Sequence, residues 1–254
     1  MSLQNLSLNT LFVGQQLLFL PECASTNTVA HELVNKNNAT DGSVIVAGAQ
    51  TTGRGQRGNT WDVEPDKNIT LSVFLKPTFL EASRQFALNI AVSLAALDLL
   101  KANLPEGCKL KWPNDLYHQD RKVGGILIEN AISGRFLQHS IVGLGININQ
   151  VSFQHERAAS FALLTGKEFH LASMVAQLLE NIERRYLALR AGGHDQQKQE
   201  YLQQLYRYQE WHPFEVEGQR VMGQIAGVDA VGRLAVIVEQ KLQFFQFQEI
   251  KYLF

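Results

Sequence analysis

Gln50-Thr51-Thr52-Gly53-Arg54-Gly55-Gln56-Arg57-Gly58-Asn59-Thr60-Trp61 lies between two apolar runs, Ser43–Ala49 and Ile69–Leu75, each of which reads as a strand. Glycine allows close backbone approach and positive φ, and successive exposed amides can cradle an anion. The two arginines add planar donor forks suited to phosphate or carboxylate. Trp61 could close the loop over an apolar ligand. The stretch therefore reads either as a solvated hairpin connection or as an anion-binding lid that orders on its ligand, because so much glycine makes the free loop costly to fix. Gly53 to Gly58 fits G-x-G-x-x-G formally, but that dinucleotide motif needs a helix directly after it, and here a strand follows. No Gly-Lys-Ser/Thr follows either, so it is not a Walker loop.

The 254 residues suffice for one large domain and a small one. A hydrophobic share of 45% and a charged share of 19% are those of a globular chain. A net charge of -1 argues against a nucleic-acid binder that works by bulk electrostatics. No apolar run is read as reaching transmembrane length, and Asn9 and Glu22 interrupt the start, so neither a membrane span nor a signal peptide is expected. Two cysteines, Cys23 and Cys108, make no disulfide framework, and seven histidines include no H-E-x-x-H pair. A reducing, cytoplasmic setting is the expectation.

Leu17 to Leu20 reads as a strand stopped by Pro21. Ser25-Thr26-Asn27-Thr28 precedes Val29, Ala30, Leu33 and Val34, whose spacing is helical. The hydroxyls there are a cap signal, and they could also face a ligand at the helix N-terminus. Glu81 to Ala102 reads as a helix with almost no polar face, hence one covered on several sides. Lys109 to Trp112 can be a short strand, which Pro113 interrupts. Asn114-Asp115 then stands in a turn at a strand end, where sites gather in α/β proteins; Asn and Asp in turns also bond their own backbone. Lys122 stands at the mouth of a buried strand beginning Val123-Gly124-Gly125, and Asn130 to Gly134 reads as the next turn. Gly143 and Gly145 inside a further strand suggest close approach by a ligand or another backbone. Asn147 and Asn149 alternate on one face. Together these make a mixed sheet.

Glu168 to Leu189 carries the clearest helical period, closed by Gly192-Gly193. Asp195 to Tyr208 reads as a second amphipathic helix with a solvent-facing Gln-rich side. The rhythm changes at Trp211-His212-Pro213. The short apolar runs that follow fit a small barrel of the SH3-like kind, giving domains 1–210 and 211–254.

Five signatures, in order, carry a resemblance over nearly the whole chain. They are Ser25-Thr26-Asn27; Gln50 with Gly53-Arg54-Gly55 to Trp61; Lys111-Trp112-Pro113-Asn114-Asp115; Lys122 with Gly125-Ile126-Leu127; and Gly143-Leu144-Gly145-Ile146-Asn147. The sequence resembles the biotin protein ligases, also called biotin–[biotin carboxyl carrier protein] ligases. The resemblance implies an α+β fold: a mixed-sheet catalytic domain of the biotin/lipoate ligase type, with a small C-terminal SH3-like barrel. It implies ATP, biotin and Mg2+ as reactants and cofactor. A biotinyl-5'-adenylate would form first, then acylate one lysine of the biotin carboxyl carrier domain of a biotin-dependent carboxylase.

By the same resemblance, Ser25, Thr26, Gln50, Gly53, Gly55, Lys122, Gly125, Gly143 and Gly145 line the biotin site. Arg54, Arg57, Trp61, Asn114 and Asn147 serve the nucleotide. Lys122, Arg54 and Asp115 act in catalysis, with Asp115 also the candidate magnesium ligand. Two departures stand out: Gln56 and Asn59 occupy positions where many members carry basic residues. The leader before Ser25 is too short for the DNA-reading domain of the repressor members, so a single-function ligase without a nucleic-acid or membrane partner is expected. Strand edges near Val123 to Glu129 could pair two copies into a homodimer. A lipoate ligase and a non-catalytic biotin- or nucleotide-binding module are the competing readings. The intact Lys-Trp-Pro-Asn-Asp run disfavours the first, and the presence of Arg54, Lys122 and Asp115 disfavours the second.

Overall fold

The computed structural model describes residues 6–55, 60–61 and 64–254. Seven strands form the main sheet: β1 (Leu17–Cys23), β2 (Val44–Gln50), β3 (Ile69–Leu75), β4 (Cys108–Lys111), β5 (Asp115–His118), β6 (Arg121–Ser133) and β7 (Phe136–Ile146). Their order is β1-β2-β3-β7-β6-β5-β4. Only β1 and β2 run parallel, joined by the crossover helix α1 (Thr26–Asn35); a parallel pair needs such a crossover, whereas the remaining neighbours are antiparallel.

Period-2 alternation gives the sheet two distinct faces. Toward one face, Ile45, Phe74 and Ile141 meet Ala30, with Val29 and Leu33 beside them, so the apolar stripe of α1 covers that end. Toward the other, Leu71, Val73 and Val142 join the large core beneath α2 (Phe86–Asn103) and α4 (Leu171–Arg190). The α2 helix buries 13 of its 18 residues, which is why it shows no polar stripe. By length and mean hydropathy the stretch Ala82–Asn103 is sufficient for a membrane span, against the expectation from sequence, but 72% of its apolar window is buried inside the fold. Arg185 of α4 joins the helices. Its guanidinium is bidentate to Asp98 of α2, at 2.8 Å on both arms, and reaches Glu200 of α5 (His194–Gln204) at 2.6 and 2.7 Å.

Several boundaries differ from those expected. β1 runs through Pro21, because β1 is the sheet edge and a missing donor there breaks no ladder. The helix expected over 81–102 is a 3-10 turn, Ala82–Arg84, followed by α2. Of the expected turn at 130–134 only Gly134 turns, together with Arg135: β6 continues to Ser133. Asn130 loses its turn character because its side-chain Oδ1 accepts from the Ser140 hydroxyl and its Nδ2 donates to Gln85 Oε1. The helix expected to reach Tyr208 ends at Gln204, and Gln197 of its Gln-rich side is buried, donating to the Arg185 carbonyl. β6 is flanked on both sides as far as Gly125, by β5 and β7, so the expected open edge begins only beyond that residue.

The tail forms a second antiparallel sheet: β8 (Trp211–Val216), β9 (Gln219–Val228), β10 (Leu234–Val238), β11 (Lys241–Phe245) and β12 (Ile250–Tyr252). Its order is β11-β10-β9-β8-β12, with β11 and β12 as its edges. Phe214, Ile225, Val236 and Ile250 belong to the same apolar cluster as Leu94 and Leu178, so the small sheet leans on the helical layer.

The leader is fastened by one buried carboxylate. Glu183 of α4 accepts from the amides of Leu11 at 2.7 Å, Phe12 at 2.8 Å and Val13 at 3.0 Å. Glu183→Ala would leave those donors without an acceptor. We expect a loss of about 2–4 kcal/mol, read as a lower urea midpoint at unchanged slope. Glu183→Gln, which keeps an acceptor oxygen, should lose less.

Candidate active site

Strand register builds the floor of the site. Thr70 of β3 pairs with Gly145 of β7, Gly145 with Gly125 of β6, Gly125 with Asp115 of β5, and Asp115 with Lys111 of β4. Directly paired residues share a face, so this is one transverse row: Thr70, two glycines, then a carboxylate and a lysine. Two residues along, Ser72 and Leu127 flank Gly143 in the same way. Where side chains are missing, the sheet surface is hollow. A Cβ on Gly145 would stand 2.4 Å from Trp61 Cε2, and one on Gly143 would stand 2.4 Å from Asn27 Oδ1. The indole and the amide therefore rest directly on backbone.

A polar end lies where α1 begins, with Ser25, Thr26 and Gln50 as its uncharged lining. Ser25 holds the N-cap position with extended backbone, yet its side chain makes no capping bond. The hydroxyl signal in the sequence thus marks the cleft rather than a side-chain cap. Gln50, at the end of β2, accepts from the Thr26 amide at 2.7 Å and from the Thr26 hydroxyl at 3.2 Å. The Ser72 hydroxyl lies 2.7 Å from Thr26 Oγ1 and 2.6 Å from Asn27 Oδ1. Buried polar groups held in this way have fixed directions.

The other end is charged. Lys122 Nζ lies 2.6 Å from Asp115 Oδ1, and Lys111 Nζ lies 3.9 Å from Asp115 Oδ2. Burial pushes the Lys111 ammonium below the usual lysine range, while Asp115 pulls it back up. Lys122 also stands 5.7 Å from the Trp61 ring. Arg54 reaches over the cleft to Glu129 Oε2 at 3.3 Å, an oxygen that also accepts from Asn27 Nδ2 at 2.6 Å. Trp61 Nε1 is buried with no hydrogen-bond partner among the described residues.

Of the residues expected at the site, Ser25, Thr26, Gln50, Arg54, Gly55, Trp61, Asn114, Asp115, Lys122, Gly125, Gly143 and Gly145 line this one cleft. Two sit apart from it. Gly53 closes the loop instead: its carbonyl accepts from the Trp61 amide at 2.9 Å, and a Cβ there would stand 2.1 Å from the Trp61 oxygen. Asn147 is buried with its amide on the Ala159 carbonyl at 3.0 Å, so it fastens the connection ahead of α3 (Phe161–Thr165). Arg57, and with it the middle of the expected lid, Gln56–Asn59, lies outside the described residues. Asn114 lines the cleft and also braces it, bonding the backbone of Ile126 in both directions.

Asn27, Lys111 and Trp112 also face the cleft. All three stood inside the quoted signatures, and their residue type gave no sign that they face a ligand. Phe247, from the C-terminal sheet, also lines it and carried no sequence signal. Trp112 couples the two sheets: its Nε1 donates to the Gly232 carbonyl at 2.8 Å, and its ring meets Phe247 edge-on at 6.3 Å.

Residues 20–147 match the model of the biotin/lipoate A/B protein ligase family. The bifunctional ligase/repressor BirA of Bacillus spizizenii is 34% identical over 185 residues, 70% of this chain and 56% of that protein. The biotin–[acetyl-CoA-carboxylase] ligase of Mycobacterium tuberculosis is 30% identical over 180 residues, 69% of this chain and 66% of that protein. The chain thus spans little more than half the length of the first of these relatives. Among solved structures, the biotin protein ligase of Aquifex aeolicus in complex with biotin and ATP superposes with a TM-score of 0.78 at 25% identity, over 94% of this chain and all of that one. With its main sheet, its glycine-floored cleft and this match across half of its length, the chain belongs to the biotin/lipoate A/B protein ligase family.

Proposed function

We propose that this chain activates biotin with ATP and transfers it to one lysine of a biotin carboxyl carrier domain. The observation that carries the reading is the division of the cleft: a neutral polar end at Ser25, Thr26 and Gln50, and a charged end at Lys122, Asp115 and Lys111. Biotin has the same division. Its ureido ring offers two N–H donors and one carbonyl; its carboxylate lies a flexible apolar chain away. A lipoyl ring has no such donors and would leave the polar end unpaired, which a site built for hydrogen bonding rejects strongly.

In the first step a biotin carboxylate oxygen bonds to the α-phosphorus of ATP and pyrophosphate leaves. Two anions must approach, and Lys122 and Arg54 offset their repulsion. Among the described residues lining the cleft Asp115 is the one carboxylate, consistent with a magnesium ion held by one protein arm and the nucleotide phosphates; bound there, the ion would supply further charge neutralisation. The product is a mixed anhydride. Trp61 lies flat on Gly145 beside Lys122, where it would keep water from the acyl carbon. In the second step the neutral amine of the carrier lysine attacks that carbon and AMP leaves, with Asp115 orienting the amine. Residues 1–210 form the catalytic unit in this reading, and 211–254 an SH3-like module that supplies Phe247 to the cleft.

Radiolabelled biotin, ATP and magnesium with an apo carrier domain test the proposal directly. Label should enter the carrier, and lipoate or octanoate in its place should enter at least about 100-fold more slowly. Equal transfer of lipoate would move the assignment to lipoate ligation. Lys122→Met should cut pyrophosphate release by about 100-fold or more with the circular dichroism spectrum unchanged. A folded variant working at the wild-type rate would reduce Lys122 to the salt-bridge partner of Asp115.

A further inference from the structure

Glu129 of β6 stands beside the cleft and gathers three side chains on one oxygen. Its Oε2 accepts from Asn27 Nδ2 at 2.6 Å and from Arg54 Nη2 at 3.3 Å, and lies 3.3 Å from His31 Nε2. Asn27 and His31 are one turn apart on α1, so they reach the same spot from one face of that helix. The backbone of Glu129 is held in the sheet, paired with Ile141 of β7. Two of the three partners therefore come from a packed helix. Arg54 alone comes from the glycine loop.

Neither end of this contact is free to wander. The Asn27 amide rests on Gly143, where a Cβ would stand 2.4 Å from its Oδ1, and that Oδ1 lies 2.6 Å from the Ser72 hydroxyl. The neck of the loop is bridged from Arg54 to Thr60, and the Trp61 amide donates to the Gly53 carbonyl at 2.9 Å. What remains loose is the Arg54 side chain itself, one of the richest in rotamers. With side chains 44% and 29% exposed, the ion pair of Arg54 and Glu129 adds little to stability. It does fix a direction. A guanidinium has five N–H donors, and the contact with Glu129 uses Nη2, so the rest of the fork stays available to an anion in the cleft. The carboxylate also offsets part of the arginine's charge. Its benefit therefore falls on geometry in the reacting complex rather than on attraction of the ground state.

We propose that Glu129 is a positioning residue for the adenylation step: held by Asn27 and His31, it keeps the Arg54 guanidinium over the cleft before the reacting anions meet. The inference rests on the ATP-dependent reading above. Glu129 touches neither reactant in this account and acts only through Arg54.

Biotin-dependent exchange of labelled pyrophosphate into ATP tests this on the full chain. Glu129→Gln and Glu129→Asp are each made alone and together with Arg54→Ala, and the melting temperature reports the fold. Glu129→Gln should lower kcat about tenfold, with KM for biotin and for ATP within about twofold of wild type. Glu129→Asp, which keeps the charge, should recover part of that loss. In the Arg54→Ala background nothing is left to position, so either change at Glu129 should alter the rate by less than about twofold. An equal loss in both backgrounds would overturn the proposal. So would a raised KM for biotin at unchanged kcat, which would trace the effect through Asn27 to the neutral end of the cleft. A wild-type rate in folded Glu129→Gln would reduce the contact to a passive ion pair. Should Glu129→Gln prove unstable, Glu129→Asp decides by the same comparison of backgrounds. All of these outcomes leave the ligase reading intact, whereas a wild-type chain that exchanges no pyrophosphate with biotin present would remove both proposals together.

Discussion

Three glycines at the centre of the main sheet, Gly125, Gly143 and Gly145, set what everything around them can do. A sheet interior normally presents a closed layer of side chains, spaced by the pleat. Here two neighbouring strands omit them in register, and the backbone itself becomes a floor. The ladder bonds of β3, β7 and β6 hold that floor rigid. A mobile ligand can thus be gripped from above by loops while lying on something that does not move. The apolar core on the opposite face and α1 at one end keep the rest of the sheet closed, so the hollow is confined to one place.

The charged groups are placed by the same register. Asp115 and Lys111 belong to the row that contains the glycines, and Lys122 enters from the start of β6, paired with Tyr117 of β5. A carboxylate 2.6 Å from one ammonium and 3.9 Å from another is held in a fixed direction without help from water. That arrangement is preorganised: charge developing between the two lysines meets dipoles and ions that need not reorient. Arg54 is different in kind. It reaches in from the loop and is about half exposed, anchored to Glu129 on a strand. The cleft thus combines a rigid cationic wall with one adjustable arm.

Much of this was legible in the amino-acid order, and the reasons differ by element. Helix α4 announced itself because one face is buried against a single layer, which leaves a clean 3.6-residue period. Helix α2 was legible by the opposite sign, the absence of any polar face. The glycine, lysine and aspartate signatures could be found because unusual backbone or charge is costly away from a purpose. What the sequence hid was contact at a distance. Nothing local distinguishes Asn147, buried on the Ala159 carbonyl, from Asn114, which faces the cleft. Nothing local ties Phe247 to a wall formed by residues 111–115. Strand ends were misjudged where a tertiary partner overrode a turn-forming residue, at Pro21 on a sheet edge and at Asn130 between Ser140 and Gln85.

The hydrogen bond from Trp112 to the Gly232 carbonyl spans 120 positions of the chain. During synthesis the main sheet can pair as soon as β7 has emerged, since all seven of its strands precede residue 147. The wall of the cleft cannot be finished then. Trp112 waits for Gly232, and the edge-on contact with its ring waits for Phe247. At the pace of translation, roughly 5–20 residues each second, the nascent chain spends several seconds with its main sheet assembled and one side of the cleft open. A half-made molecule therefore lacks one wall of the cleft, and a premature stop before residue 232 removes the Trp112 partner and the strands that follow it.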